Sequence, residues 1–135
     1  MGYKDKETFR EHSFLATRNS EGLILAASYK SGIYKFNTKS EDFEPFPIPE
    51  IDKNNIIQLF FDSSDNLWIV NDKNEIFRLK IKSDKITEKQ KITPPADFLH
   101  LCYDKKEKIW FQYENYTLGY YSIQTEKFSD WGSKP

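Results

Sequence analysis

The chain has 135 residues and balances 20 Lys and Arg against 21 Asp and Glu, a net charge of −1, so it has no basic field to attract nucleic acid. Its single cysteine, Cys102, excludes an intrachain disulfide, and no apolar run approaches membrane-spanning length. Aromatic residues reach 16% of the chain, with 11 Phe, a composition suited to pleated and buried surfaces.

In chain order, residues 1–12 are polar and charged, with no signal-peptide core, and read as a leader or an outer strand. Residues 13–55 form a first unit. It carries Arg18-Asn19-Ser20-Glu21-Gly22-Leu23-Ile24-Leu25, then Gly32-Ile33-Tyr34-Lys35-Phe36, then Asp42-Phe43. The proline-rich stretch 45–49 cannot be a central strand or a helix interior and joins this unit to the next.

Residues 56–97 form the second unit, with strands expected over 56–61, 67–70, 75–79 and 86–91. Between the first two strands sits Asp62-Ser63-Ser64-Asp65-Asn66, whose Asx and Ser side chains can mimic backbone turns. Residues 98–131 form a third unit and 132–135 a tail.

The units repeat one another. Asp62-Ser63-Ser64-Asp65-Asn66-Leu67-Trp68-Ile69 returns as Asp104-Lys105-Lys106-Glu107-Lys108-Ile109-Trp110-Phe111, 42 residues later. Aligning Arg18 with Asp62 gives a weaker copy 44 residues earlier, in which Ile24 answers to Trp68. A period of roughly 40–50 residues made of short strands points to β-propeller blades. Runs such as Ile56-Ile57-Gln58-Leu59-Phe60-Phe61 are apolar on both faces and need cover on both sides, which neighbouring blades supply. The expected fold is therefore all-β, with three four-stranded antiparallel blades of an incomplete propeller. Three blades do not close a ring, so the ends are expected to meet neighbouring blades or to self-associate, with a six-blade dimeric ring as the closed solution.

The run Asp62, Asn66-Leu67-Trp68-Ile69, followed by Ile76-Phe77-Arg78-Leu79, resembles the two-component regulator propeller repeat. That repeat occurs in the extracytoplasmic sensor region of hybrid two-component histidine kinases of Bacteroidetes. The resemblance covers about 120 residues and is fullest in the second unit. It departs from the repeat at Arg18 and Ile24, and Asn66 and Lys108 stand where a glycine usually precedes the Leu-Trp pair. The resemblance implies a periplasmic or extracytoplasmic, non-enzymatic sensor segment and a carbohydrate-derived ligand. In the family, a membrane helix and a kinase core follow such repeats.

Candidate chemistry is sparse. Asp62 and Asp104 hold equivalent positions, which favours one turn-forming job done twice over a catalytic pair. Trp68 and Trp110 read by the same logic as blade core rather than ligand-stacking rings. His100 and Cys102 are two apart, too few for a zinc site, and Cys102 reads as a buried apolar thiol. No metal or cofactor is implied.

Loops of a four-stranded blade alternate between two rims, so the loops joining second to third strands share a rim with the blade-to-blade linkers. That rim is expected to gather Tyr29, Lys30, Asp72, Lys73, Tyr113, Asn115 and Tyr116, with the linkers 51–55 and 93–97. Mixed rings, amides and charges of this kind suit an oligosaccharide or another small ligand, and equally a plain polar surface. Two rival readings are a propeller enzyme of lactonase or lyase type and a protein-interaction scaffold.

Overall fold

In the computed structural model, residues 14–28, 32–51 and 55–131 are described; the leader 1–12, the tail 132–135, Tyr29 and Lys30 lie outside them. All twelve elements among the described residues are strands. They form three separate four-stranded antiparallel sheets, each ordered as in the sequence. Blade 1 comprises β1 (Phe14–Arg18), β2 (Ile24–Ser28), β3 (Gly32–Asn37) and β4 (Asp42–Pro45). Blade 2 comprises β5 (Ile56–Phe61), β6 (Asn66–Asn71), β7 (Ile76–Lys82) and β8 (Lys85–Ile92). Blade 3 comprises β9 (Phe98–Tyr103), β10 (Lys108–Tyr113), β11 (Leu118–Ser122) and β12 (Lys127–Trp131). The architecture is an open β-propeller, as its repeat leads one to expect.

The blades stack through two apolar layers. Leu25, Ala27 and Ile33 of blade 1 meet Leu59, Leu67, Ile69 and Leu79 of blade 2. Trp68, Val70 and Ile76 of blade 2 meet Leu101, Ile109, Phe111 and Tyr121 of blade 3. Blade 2 is thus covered on both faces, and every residue of β6 is buried. This is why its sequence lacks the polar alternation of a half-wet strand. The stretch after β4 is more than a linker: Phe46, Ile48 and Ile51 are buried in the layer between blades 1 and 2.

The strand joints follow local chemistry. Asp62 Oδ1 accepts the backbone N–H groups of Ser64 (2.8 Å) and Asn66 (2.9 Å). Asp104 Oδ1 does the same for Lys106, Glu107 and Lys108, at 2.8, 3.0 and 3.1 Å. In blade 1 the residue in this role is Asn19, not Arg18: its Oδ1 accepts Glu21 N at 3.0 Å and Leu23 N at 2.8 Å. The true offset between the first two units is therefore 43 (62 − 19), and Leu25 rather than Ile24 stands where Trp68 does. In a strand a one-residue slip exchanges the two faces, so the correction decides which residue meets the next blade. Ser83 and Asp84 both have positive φ, 50° and 68°, and close β7 onto β8 as a two-residue hairpin of the type whose twist matches its strands.

Polar clasps recur between blades at matching positions. Lys35 of blade 1 bonds Asp84 of blade 2 at 3.1 Å. One repeat later, Arg78 of blade 2 pairs with Glu126 of blade 3 at 3.5 Å and donates to Tyr121 Oη at 3.1 Å. The Asp84 hydrogen bond, more than burial opposes it, raises the Lys35 ammonium above the ordinary lysine value. The first strands are tied as well: Thr17 Oγ1 accepts Phe61 N at 2.9 Å, and Gln58 Nε2 donates to Leu101 O at 3.2 Å.

Candidate functional site

The joints between second and third strands lie beside the blade-to-blade linkers, as strand alternation requires. Asp72 N donates to Asn55 O at 2.8 Å, and Glu114 N donates to Asp97 O at 2.9 Å, the same contact one repeat later. Between blades 2 and 3 this rim opens into a cleft of about 300 Å³. Lys73, Asn74, Glu75, Lys91, Thr93, Asp97 and Glu114 supply its polar lining, and Ile92, Pro94, Ala96 and Phe98 its apolar part.

Asn71, fully buried behind the cleft, fixes the segment 73–75 that lines it. Its Oδ1 accepts Lys73 N and Glu75 N, each at 3.0 Å, while its Nδ2 donates to Glu75 Oε1 at 2.8 Å. Lys91 Nζ donates to the other Glu75 oxygen at 3.2 Å. These two hydrogen bonds, the Asn71 one first, hold the Glu75 carboxyl below the ordinary glutamate range. The Glu75 carboxyl is therefore ionised at neutral pH, with Lys91 at 3.2 Å. Asn74 carries a positive φ of 60° and donates from Nδ2 to Phe98 O at 3.2 Å, joining the two blades across the cleft.

The expected rim residues separate. Lys73 is exposed and lines the cleft. Asp72 is exposed but accepts from Asn55 Nδ2 at 3.1 Å and bridges strand joint to linker. Tyr116 sits at the tip of the β10–β11 joint, 83% exposed with a positive φ of 67°. Asn115 spends its Oδ1 on Thr117 N and Thr117 Oγ1, at 3.1 and 2.6 Å. Tyr113 turns inward: it is buried, and its ring lies parallel to Phe111 at 5.8 Å. Gly119 makes room for it, since a Cβ there would fall 2.9 Å from the Tyr113 ring and 2.8 Å from Ser129 O. Tyr29 and Lys30 lie outside the described residues. Ile51, expected on the rim, is fully buried.

Sequence reasoning missed Glu75 and Lys91. One stands just before β7 and the other near the end of β8, and only the antiparallel register brings them together. It also misplaced Cys102, which is exposed, and Trp110, which is only half-buried. Both lie on the face of blade 3 turned away from blade 2, as does His100. Asp62 and Trp68 are buried as a unit: Trp68 Nε1 donates to Asp62 Oδ2 at 2.8 Å. Among the described residues no three His, Cys, Asp or Glu side chains gather to hold a metal, and no helix is long and apolar enough to cross a membrane.

A larger cleft of about 450 Å³ opens on the opposite rim, between blades 1 and 2. Its central cation, Lys35, is already engaged by Asp84 and Glu44. In the cleft between blades 2 and 3, the side chains of Lys73, Asp97 and Glu114 make no hydrogen bond or close ion pair among the described residues, although the Lys73 charge is felt by the Glu75 carboxylate.

No protein-family profile matches the chain, and no curated protein sequence matches it. Solved structures do. The chain is similar to the extracellular domain of the putative one component system BT4673 from B. thetaiotaomicron, at 20% identity and a TM-score of 0.61 over 91% of this chain. It is also similar to virginiamycin B lyase from Staphylococcus aureus. A catalytically inactive variant of that lyase crystallised with quinupristin matches at 23% identity, with a TM-score of 0.54 over 85% of this chain. The selenomethionine form matches at 22% identity, with a TM-score of 0.54 over 89%. The chain spans 16% of the first protein's length and 39% and 41% of the lyase chains. The likeness establishes a shared fold, and that fold serves the extracellular domain of a one component system and a lyase alike.

Proposed function

We propose that this chain is a non-enzymatic, ligand-binding propeller segment of an extracytoplasmic sensor protein, and that it binds a carbohydrate-derived ligand in the cleft between blades 2 and 3. The observation that carries the reading is the composition of that cleft. Lys73, Asp97 and Glu114, whose side chains make no hydrogen bond among the described residues, surround a small apolar patch of Pro94 and Ala96 over buried Ile92. Such a surface offers donors and acceptors for hydroxyls and a flat apolar contact for a sugar ring. The site bridges two blades, so occupancy favours one relative blade position over another, which is how binding becomes a signal. The likeness to the extracellular domain of a one component system supports the same reading and an extracytoplasmic location.

The test is titration calorimetry with a panel of neutral and acidic oligosaccharides. Binding of one class is expected, weakened about tenfold or more by Lys73→Ala and by Asp97→Ala, each tenfold being about 1.4 kcal/mol. A panel in which nothing binds sinks the proposal.

The likeness to virginiamycin B lyase favours one rival, a lyase-type enzyme. The one described histidine, His100, lies on the outer face of blade 3, away from the cleft. Incubation with quinupristin followed by mass spectrometry is expected to return it unchanged.

A further inference from the structure

The two junctions between blades are not filled alike. In blade 2 both side-chain oxygens of the turn residue Asp62 are used. Oδ1 accepts backbone N–H groups, and Oδ2 accepts from Asn66 Nδ2 at 3.1 Å and from Trp68 Nε1 at 2.8 Å. One repeat earlier, at an offset of 43, Leu23 stands for Asn66 (66 − 43) and Leu25 for Trp68 (68 − 43). Neither leucine carries a polar group, and Leu25 has no ring to span the distance to the turn.

Asn19, the turn residue of blade 1, is therefore only half used. Its Oδ1 is turned into its own joint, where it accepts Glu21 N and Leu23 N. Its Nδ2 points the other way and makes no hydrogen bond among the described residues, although Asn19 is only 6% exposed. A buried amide donor without an acceptor is costly, and such groups are normally paired. Asn19 lines the cleft of about 450 Å³ between blades 1 and 2. The other inner polar groups of that cleft are engaged. Lys35 pairs with Asp84 and Glu44, and Asn37 accepts Lys39 N and Ser40 N while donating to Glu44. Leu23 and Ile81, half-buried against the core between the two blades, supply the apolar wall.

We propose that this cleft binds a small uncharged ring compound bearing a carbonyl group, which accepts from Asn19 Nδ2 and lays its ring against Leu23 and Ile81. The ligand supplies to blade 1 what Trp68 supplies to blade 2, with the polarity reversed. In blade 2 a ring donates to a carboxylate, and in blade 1 a ring accepts from an amide. The charges around the cleft exert no net pull that would select an ion. Lys35 already faces two carboxylates, and the exposed Glu21 and Lys39 stand at the mouth with opposite signs. A cleft of about 450 Å³ is within the usual size of small-molecule sites. This site lies on the opposite rim from the cleft between blades 2 and 3 and is independent of it.

The test is an NMR titration of the full chain with two probes of similar size: coumarin, which has a carbonyl and no donor, and indole, which has an N–H and no acceptor. Coumarin is expected to shift the Asn19 side-chain amide pair and the backbone amides of Leu23 and Ile81. Saturation is expected in the roughly millimolar range usual for so small a ligand, with indole several-fold weaker. Asn19→Asp keeps the Oδ1 contacts of the turn but sets a carboxylate oxygen toward the cleft, as Asp62 does in blade 2. It should invert the preference, weakening coumarin about tenfold or more and strengthening indole. Ile81→Trp, which puts a ring into the cleft, should abolish binding of both probes while circular dichroism reports an intact fold. No saturable shift with coumarin, equal affinity for the two probes, shifts confined to the cleft between blades 2 and 3, or an Asn19→Asp protein with the parent preference each overturns the proposal.

Discussion

Blades 2 and 3 carry the same motif in different surroundings. In blade 2, Asp62 is 4% exposed and accepts four hydrogen bonds: two backbone N–H groups, Asn66 Nδ2 at 3.1 Å and Trp68 Nε1 at 2.8 Å. In blade 3, Asp104 is exposed and, among the described residues, accepts backbone donors only. The reason lies one blade away. Trp68 is pressed between Phe60, parallel at 6.2 Å, and Tyr121 of blade 3, edge-on at 5.3 Å. No strand among the described residues stacks on the outer face of blade 3, and the Trp110 ring there is only half-buried. The turn is a property of the local sequence, whereas the buried indole–carboxylate unit is a property of the stack. Blade 1 completes the comparison. Its turn residue is Asn19 and its residue at the tryptophan position is Leu25. With no indole N–H to satisfy, an amide serves as well as a carboxylate.

The largest expected effect follows directly. Trp68→Ala should destabilise the fold by about 3–5 kcal/mol, the range for a fully buried Trp lost from a core. Trp110→Ala should cost about 1–2 kcal/mol, because only part of its ring leaves water on folding. Urea unfolding monitored by circular dichroism gives both values. Equal losses would mean that the two tryptophans are equally buried and would break the comparison.

The aspartates sharpen it. Asp62→Asn preserves the turn acceptor but sets an NH₂ against the donors of Asn66 and Trp68. Leaving those groups unsatisfied should cost about 1–3 kcal/mol. Asp104→Asn keeps every backbone acceptor contact and should change stability by about 0.5 kcal/mol or less, since Asn also supports Asx turns. A double-mutant cycle of Asp62→Asn with Trp68→Phe decides whether the cost comes from the indole. The two changes should be markedly non-additive, and simple additivity would disprove the coupling.

Much of the fold was legible in the sequence, and for definite reasons. The inner strands of blade 2, β5 to β7, follow its apolar runs because neighbouring blades cover them on both faces, and the joints follow Asp62, Asp104 and the Asx-rich turns. The first unit was misaligned by one residue because Arg18 and Asn19 both precede a plausible turn, and only Asn19 can accept the two N–H groups. Burial in blade 3 was misjudged at Trp110 and Cys102 because a motif encodes which face a residue occupies, not whether anything covers that face. On the rim, loop membership located Lys73 and Asp72, but side-chain direction was beyond it. Tyr113 closes a strand and turns inward over Gly119, and Glu75 and Lys91 meet only through the register of β7 and β8.

The smallest effect is one of pH, and it separates the two aspartates by what holds each of them. Burial alone would raise the Asp104 carboxyl, but the backbone N–H groups of Lys108, Lys106 and Glu107 outweigh it and hold the group below the ordinary aspartate value. A depressed folded-state pKa contributes stability that is present above the unfolded-state value, about 3.9, and is lost as pH falls through the folded-state value. Glu75, also depressed, contributes in the same direction. Whatever small advantage the parent chain holds over Asp104→Asn at pH 7 should therefore shrink on acidification and vanish once both forms of the chain have protonated their carboxyls. Thermal unfolding of the two proteins from pH 7 down to about pH 2 reads this out. A gap that stays constant over that range would mean that the charge of Asp104 contributes nothing and that its turn is held by geometry alone.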